Sequence, residues 1–187
     1  MKELLTLFSS IHPVSSELEQ ALLLSLKRKE VEKKGFLLKK GHVSNDIFFI
    51  ETGIFRCFYE MDDKEICSWF MKEMDVIISV ESFFTRTPSN ETIQAVEDAV
   101  VYYISYRELQ ALYANFIEFN VIGRVLTERY YTLSEQRLYF IRSQKAAERY
   151  RHLRDHYPDI IRRVPSGYIA SYLGITLETL SRIKKRS

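Results

Sequence analysis

Six short β-rich runs crowd into residues 30–105, at 36–38, 46–51, 54–61, 65–70, 92–95 and 100–104, and they are broken by Gly, Asn and Asp. Many short strands at such close spacing imply a sandwich or a roll. In the run that begins at Ile54, the alternation sets Phe55, Cys57 and Tyr59 on one face and Arg56 and Glu60 on the other, the pattern of a half-buried strand. Gly41 and Gly53 sit at strand boundaries as turn residues, and Asp62-Asp63 closes a hairpin. A two-residue turn there sets Cys57 opposite Ser68 and Cys67 opposite Phe58, with the two thiols on opposite faces, so no disulfide is expected between the chain's two cysteines. That agrees with a reducing compartment.

Helical periodicity flanks this β-region. Leu18, Ala21, Leu22 and Leu26 recur at helical spacing ahead of it, behind Ser15-Ser16 and the acidic Glu17 and Glu19, so one or two short helices are predicted at the start. After Ser105 comes a short helix over 106–114, then a long one over 119–143 that contains no proline. Ile122, Val125, Arg129, Leu133, Gln136 and Phe140 form a stripe along it, while Val121, Leu126, Tyr130, Arg137 and Ile141 lie elsewhere. Such a helix faces either the β-region and a second copy of itself, or only the core of a monomer. A further helix, 143–156, starts with Ser143 as N-cap and hinge and ends before Tyr157-Pro158.

Charge is uneven along the 187 residues: 142–187 hold eleven Lys and Arg against four Asp and Glu, a local +7, so 1–141 carry −5 of the overall +2. The basic end is the candidate polyanion surface. It contains Ala170 where two helices would touch, Gly174 four residues on for a turn that needs positive φ, and Ile169, Leu173, Ile175, Leu180 and Ile183 on the facing sides. Thr176 stands where the second helix begins and can cap it. The outward positions are Leu177, Glu178, Ser181, Arg182 and Lys185, with Thr179 in the first turn. Arg182 has the donors to grip guanine, Glu178 can accept from cytosine, and Thr179, Ser181 and Lys185 suit phosphates.

The stretch Ile169-Ala-Ser-Tyr-Leu-Gly-Ile-Thr-Leu-Glu-Thr-Leu-Ser-Arg-Ile resembles the recognition motif of the Crp/Fnr family of regulators, a helix-turn-helix group. Lys40-Gly41, Ile47-Phe48-Phe49-Ile50 and Gly53-Ile54 are similar to the opening of that family's β-roll. Glu148-Arg149-Tyr150 and Val164-Pro165 resemble its lead-in to the DNA-binding part. The resemblance implies an α+β fold: an N-terminal double-stranded β-helix (a jelly roll of cyclic-nucleotide-binding type), a long dimerisation helix and a C-terminal helix-turn-helix domain, divided as 1–115, 116–143 and 144–187. It further implies a cytoplasmic homodimer on inverted-repeat double-stranded DNA, with RNA polymerase as a further partner. Base reading falls on Glu178 and Arg182, and Leu177 replaces a third basic contact, which points to a different operator. A β-hairpin wing is also implied; the chain ends at Ser187 first, so the wing is missing or the sequence is cut short.

Family members that bind cyclic nucleotides use a Gly-Glu pair for the ribose and an Arg-Ser or Arg-Thr pair for the phosphate. In the equivalent stretch, 79–95, Glu81 remains, but Ser89 or Asn90 stands where the arginine belongs, and Glu91 adds negative charge. A phosphate there forfeits charge-assisted hydrogen bonds of about 1.5–3 kcal/mol each, which disfavours cyclic AMP. Arg86 replaces that charge only if the loop folds back. Either another small effector binds among Glu81, Ser82, Ser89, Asn90 and Thr92, with Thr132 as a lid, or these residues only cap turns.

Other classes fit poorly. No apolar run approaches a membrane span, and the first residues lack the pattern of a signal peptide. Two cysteines and the scattered His12, His42, His152 and His156 suit neither an iron–sulfur cluster nor a zinc site, so no metal or cofactor is expected. No nucleophile, phosphate-loop or metal-ligand signature of an enzyme is present, and no catalytic residue is assigned. The rival reading is a ligand-binding β-roll that acts on a protein partner without sequence-specific DNA binding.

Overall fold

A computed structural model describes residues 1–186; Ser187, on which the expectation about the wing turns, lies outside them. Two helices open the chain, α1 (Lys2–Ile11) and α2 (Ser16–Ser25). Ser15 caps the second, its Oγ accepting from the Leu18 N–H at 3.1 Å. Eight strands follow: β1 (Lys27–Val31), β2 (Phe36–Leu38), β3 (Asp46–Thr52), β4 (Phe55–Met61), β5 (Lys64–Met71), β6 (Val76–Ile77), β7 (Glu91–Ala95) and β8 (Ala99–Ser105), with the one-and-a-half-turn helix α3 (Val80–Thr85) between β6 and β7. They form two antiparallel four-stranded sheets, in the orders β1-β8-β3-β6 and β2-β7-β4-β5. Apart from the β4–β5 hairpin, neighbours in each sheet come from separated parts of the chain, the interleaving of a jelly-roll-like domain. The chain is therefore α+β, an antiparallel roll followed by a helical region: α4 (Tyr106–Asn115), α5 (Ile117–Ser143), α6 (Ala146–His156), α7 (Pro158–Arg163), α8 (Ser166–Tyr172) and α9 (Leu177–Arg186).

Three apolar clusters hold these layers. Between the sheets lie Phe48, Ile50, Phe55, Ile77, Ile93 and Val101 with their neighbours. Outside the first sheet, Leu4, Phe8, Leu18, Leu22, Phe49, Ile104, Leu112, Phe119 and Ile122 join α1, α2, α4 and the start of α5 to β3 and β8. Gly123 belongs to this contact: a Cβ there would lie 2.4–2.8 Å from atoms of the Tyr113 ring, so glycine is what allows α4 and α5 to approach. The third cluster matters most for function. Ile54, Val96 and Phe70 of the roll pack with Tyr150, Leu153, Ile160, Val164, Ile169, Leu173 and Leu180, so the C-terminal helices rest on the outer face of the second sheet.

That contact corrects the expected faces of β4. Phe55, Arg56, Cys57 and Phe58 are all buried, because the roll interior covers one side and α8 the other, whereas Tyr59 is exposed near the strand's end. The hairpin closes at Asp62-Asp63, both with positive φ (50° and 58°), the pair of conformations a type I′ turn needs. Phe58 pairs with Cys67 as expected, but a β-bulge sets Cys57 opposite Trp69 instead of Ser68. Both thiols are buried and free.

On the long helix, Ile122 of the expected stripe is buried and Val125, Leu133 and Phe140 are half-buried, but Arg129 and Gln136 are exposed, and Leu126, Tyr130, Arg137 and Ile141 are half-buried as well. The Tyr130 hydroxyl accepts from the Val76 N–H at 2.7 Å. Apolar residues lie on both sides of α5, so periodicity fixed its period but not its inward face. Ser143 is still within α5; Lys145 caps α6, with the Glu148 carboxylate accepting from its N–H at 3.1 Å.

Candidate nucleic-acid interface

Helices α8 and α9 meet across a tight turn. The Gly174 N–H donates to the Ser171 carbonyl and the Ile175 N–H to the Ala170 carbonyl, both at 3.0 Å, while Gly174 takes φ +65°, a left-handed conformation that costs any other residue a Cβ clash. Thr176 then caps α9, its Oγ1 accepting from the Thr179 N–H at 3.2 Å. Ile169, Ala170, Leu173 and Leu180 are buried where the two helices touch, and Ile175 and Ile183 pack against them.

The outward face of α9 carries the residues singled out from sequence. Leu177, Glu178, Ser181, Arg182 and Lys185 are exposed; Thr179 is half-buried and Thr176 exposed. Leu177, Glu178, Ser181 and Arg182 line one shallow, open concavity of about 500 Å³. The Arg182 guanidinium reaches back to the Thr179 Oγ1 at 3.4 Å, a long contact that leaves most of its donors toward solvent. Lys184 Nζ donates to the Ser166 Oγ at 2.9 Å, which ties α9 to the first turn of α8. Chemically the face offers one carboxylate acceptor, one guanidinium fork, hydroxyls and an ammonium on a helix narrow enough for a major groove.

How this pair is held was not visible in the sequence. Ser171 Oγ donates to the Glu65 carbonyl and accepts from the Cys67 N–H, both at 2.9 Å, stitching α8 to β5. Arg56 is 3% exposed; its Nη1 lies 2.6 Å from Glu65, its Nε and Nη2 donate to the Gln94 Oε1 at 3.0 and 2.6 Å, and its plane lies between Phe58 and Tyr168, 4.0 and 3.8 Å from the ring centroids. A buried guanidinium this fully paired fixes α8 in position. Arg163 of α7 donates to both Glu73 and Glu97, and Lys72 Nζ lies 2.8 Å from Asp159. Hydrogen bonds from Lys72 and Arg162 hold the Asp159 carboxyl down at about 2.

The sensor residues are placed differently. Ser82 is buried, its Oγ accepting from the Ser44 N–H at 2.9 Å and donating to the Thr87 carbonyl. Ser89 is buried against Ser79 Oγ at 2.9 Å, and Thr92 Oγ1 accepts from the Lys40 N–H at 3.1 Å. Glu81, Asn90 and Thr132 are exposed, and the Thr132 hydroxyl bonds the Glu128 carbonyl of its own helix. The hydroxyls of Ser82, Ser89 and Thr92 are thus engaged in local turn and strand contacts. Burial raises the half-buried Glu91 carboxyl above its usual range, with Ser79 opposing. The Arg86 guanidinium is committed to the Ser44 and Phe83 carbonyls and Asn45 and lies over the Tyr106 ring at 4.3 Å. Among the described residues no group of three or more His, Cys, Asp or Glu is arranged to hold a metal, and no helix is long and apolar enough to cross a membrane.

Residues 28–116 match the cyclic nucleotide-binding domain family. No curated protein matches the sequence significantly. Solved structures of similar fold include FixK2 from Bradyrhizobium japonicum (TM-score 0.72, 16% identity, 86% of this chain and 83% of that one) and a Crp/Fnr-family protein from Eubacterium rectale (TM-score 0.73, 14% identity, 92% and 83%). The c-di-GMP responsive global regulator CLP of Xanthomonas campestris is also similar (TM-score 0.69, 15% identity, 92% and 91%). At these identities the likeness is one of fold, and it extends over the roll and the helical region together.

Proposed function

We propose that this chain, built on a cyclic nucleotide-binding domain of the fold seen in Crp/Fnr regulators, is itself a DNA-binding transcription regulator. The observation that carries the reading is α9: a helix braced by the buried Ala170, Leu173 and Leu180 that presents Glu178, Ser181, Arg182 and Lys185 to solvent. In this reading residues 1–115 form the sensor, 116–143 the dimerisation helix and 144–187 the helix-turn-helix domain. Glu178 and Arg182 read base edges, and Thr176, Thr179, Ser181 and Lys185 hold phosphates, with Leu177 available for contact with a thymine methyl. Two copies joined along α5 set their recognition helices in successive major grooves about 34 Å apart on an inverted repeat. Exposed Ile117, Tyr131, Leu138 and Tyr139 supply apolar surface for that pairing. The location is cytoplasmic, and RNA polymerase is the partner through which bound protein acts.

In this reading the sensor does not take cyclic AMP, because Ser89, at or beside the arginine's place, is buried against Ser79, and the adjacent Glu91 adds a carboxyl to the same stretch. Calorimetric titration with cyclic AMP and cyclic GMP is expected to show no micromolar binding; such binding would overturn this part. Selection of duplexes from a random pool tests the main reading. Enrichment of an inverted repeat supports it, and a pool that stays random contradicts it.

A further inference from the structure

The long helix carries a cation that forms no ion pair among the described residues. Arg137 of α5 lies over the Trp69 ring of β5 at 5.6 Å and over the Tyr172 ring of α8 at 4.5 Å, at the junction of roll, long helix and recognition pair. Its hydrogen-bond partner is the uncharged Tyr172 phenol, and its Nε is buried without a partner. Burial pushes the Cys67 thiol up to about 12 and raises the Cys57 thiol and the Tyr172 phenol as well, although Arg137 draws all three back. The hydroxyl of Ser68, the residue before Trp69, is likewise buried without a partner. One turn along α5 from Arg137, the Ile141 carbonyl accepts from Arg149, whose own Nε is also buried and unpartnered. Buried donors without acceptors cost about 1–3 kcal/mol each, more for charged groups, and natural proteins satisfy nearly all of them.

We infer that Arg137 is the anchor of an anion site at this junction, taking a small oxyanion, a carboxylate or a phosphate, with the Ser68 hydroxyl as a second donor. A guanidinium held over two rings is pre-oriented, and its planar fork of donors fits an oxyanion. The site joins three elements, so an occupant would bear on how α8 sits against β5. The inference goes beyond DNA binding and does not depend on it.

Trp69 is the chain's single tryptophan, so its fluorescence reports on this place directly. The full chain, without DNA, is titrated with sodium phosphate and separately with sodium acetate, at constant ionic strength set by sodium chloride. Saturable change with at least one of them, at millimolar or lower midpoint, is expected, and the one that saturates names the class. Arg137→Gln should lose the response, and Arg137→Lys and Ser68→Ala should weaken it several-fold, each with far-UV circular dichroism unchanged. If Arg137→Gln does not fold, the other two variants carry the test. No saturation with either anion, or midpoints in the folded variants equal to the parent's, overturns the inference.

Discussion

Arg182 and Leu180 lie two positions apart on α9, yet one is exposed and the other is 1% exposed, so the two have opposite consequences when truncated. Arg182→Ala removes no packing and should leave the melting temperature unchanged. In the DNA-binding reading it should lower discrimination between the selected and a mismatched duplex by about 1–3 kcal/mol. Competition binding against both duplexes measures this; equal weakening on both would show that Arg182 holds phosphates and reads no base. Leu180→Ala opens a cavity between α8 and α9 instead, a loss of about 2–5 kcal/mol that should appear in thermal unfolding. Gly174 was legible from sequence, because the need for positive φ depends on the turn alone. Arg56 was not: strand alternation assigns it to the solvent side, and only the later arrival of α8 on that face, with Tyr168 against the guanidinium, makes it an interior residue.

Among the elements, the strands visible in the sequence were those whose apolar residues line a core. The six runs correspond to β2, β3, β4, β5, β7 and β8 within one or two residues at each end. β1 was hidden because Lys27, Arg28, Lys29 and Glu30 are exposed and the strand is held by backbone pairing to β8. β6 has two residues, too few for a pattern. For Ser82, Ser89 and Thr92 the sequence leaves two readings open, because such residues both bind ligands and satisfy turns, and composition does not distinguish the two. At α5, the inward face is occupied by Phe119, Ile122, Leu126 and Tyr130, leaving Tyr131, Leu138 and Tyr139 exposed. Tyr131→Glu with Leu138→Glu should therefore convert a dimer to a monomer in sedimentation velocity while each protomer stays folded. An unchanged sedimentation coefficient for a dimeric parent would place the contact on another surface.

Across the whole molecule, the roll and the C-terminal helices are joined by an apolar cluster rimmed with ion pairs, Lys72 to Asp159 and Arg163 to Glu73 and Glu97. The Asp159 carboxyl titrates at about 2 in the folded chain, against about 3.9 for an unperturbed aspartate. Its folded value is depressed, so its contribution is complete above about pH 4 and is lost as pH falls toward 2. Burial works against Glu73, but hydrogen bonds, chiefly from Arg163, bring it below its usual value, and the same sign applies. Melting followed from pH 7 to pH 2 should show Asp159→Asn losing less stability than the parent below pH 4; parallel curves would mean that this pair adds nothing. The central claim, that the basic helical end grips a duplex through α9, is tested most directly by the affinity of the full chain for a selected inverted repeat and for its scrambled counterpart over a series of salt concentrations. Tighter binding to the repeat at every salt is expected, with a steep log–log decline for both and a slope near −0.9 for each phosphate neutralised. Equal affinities with a flat response to salt would contradict it.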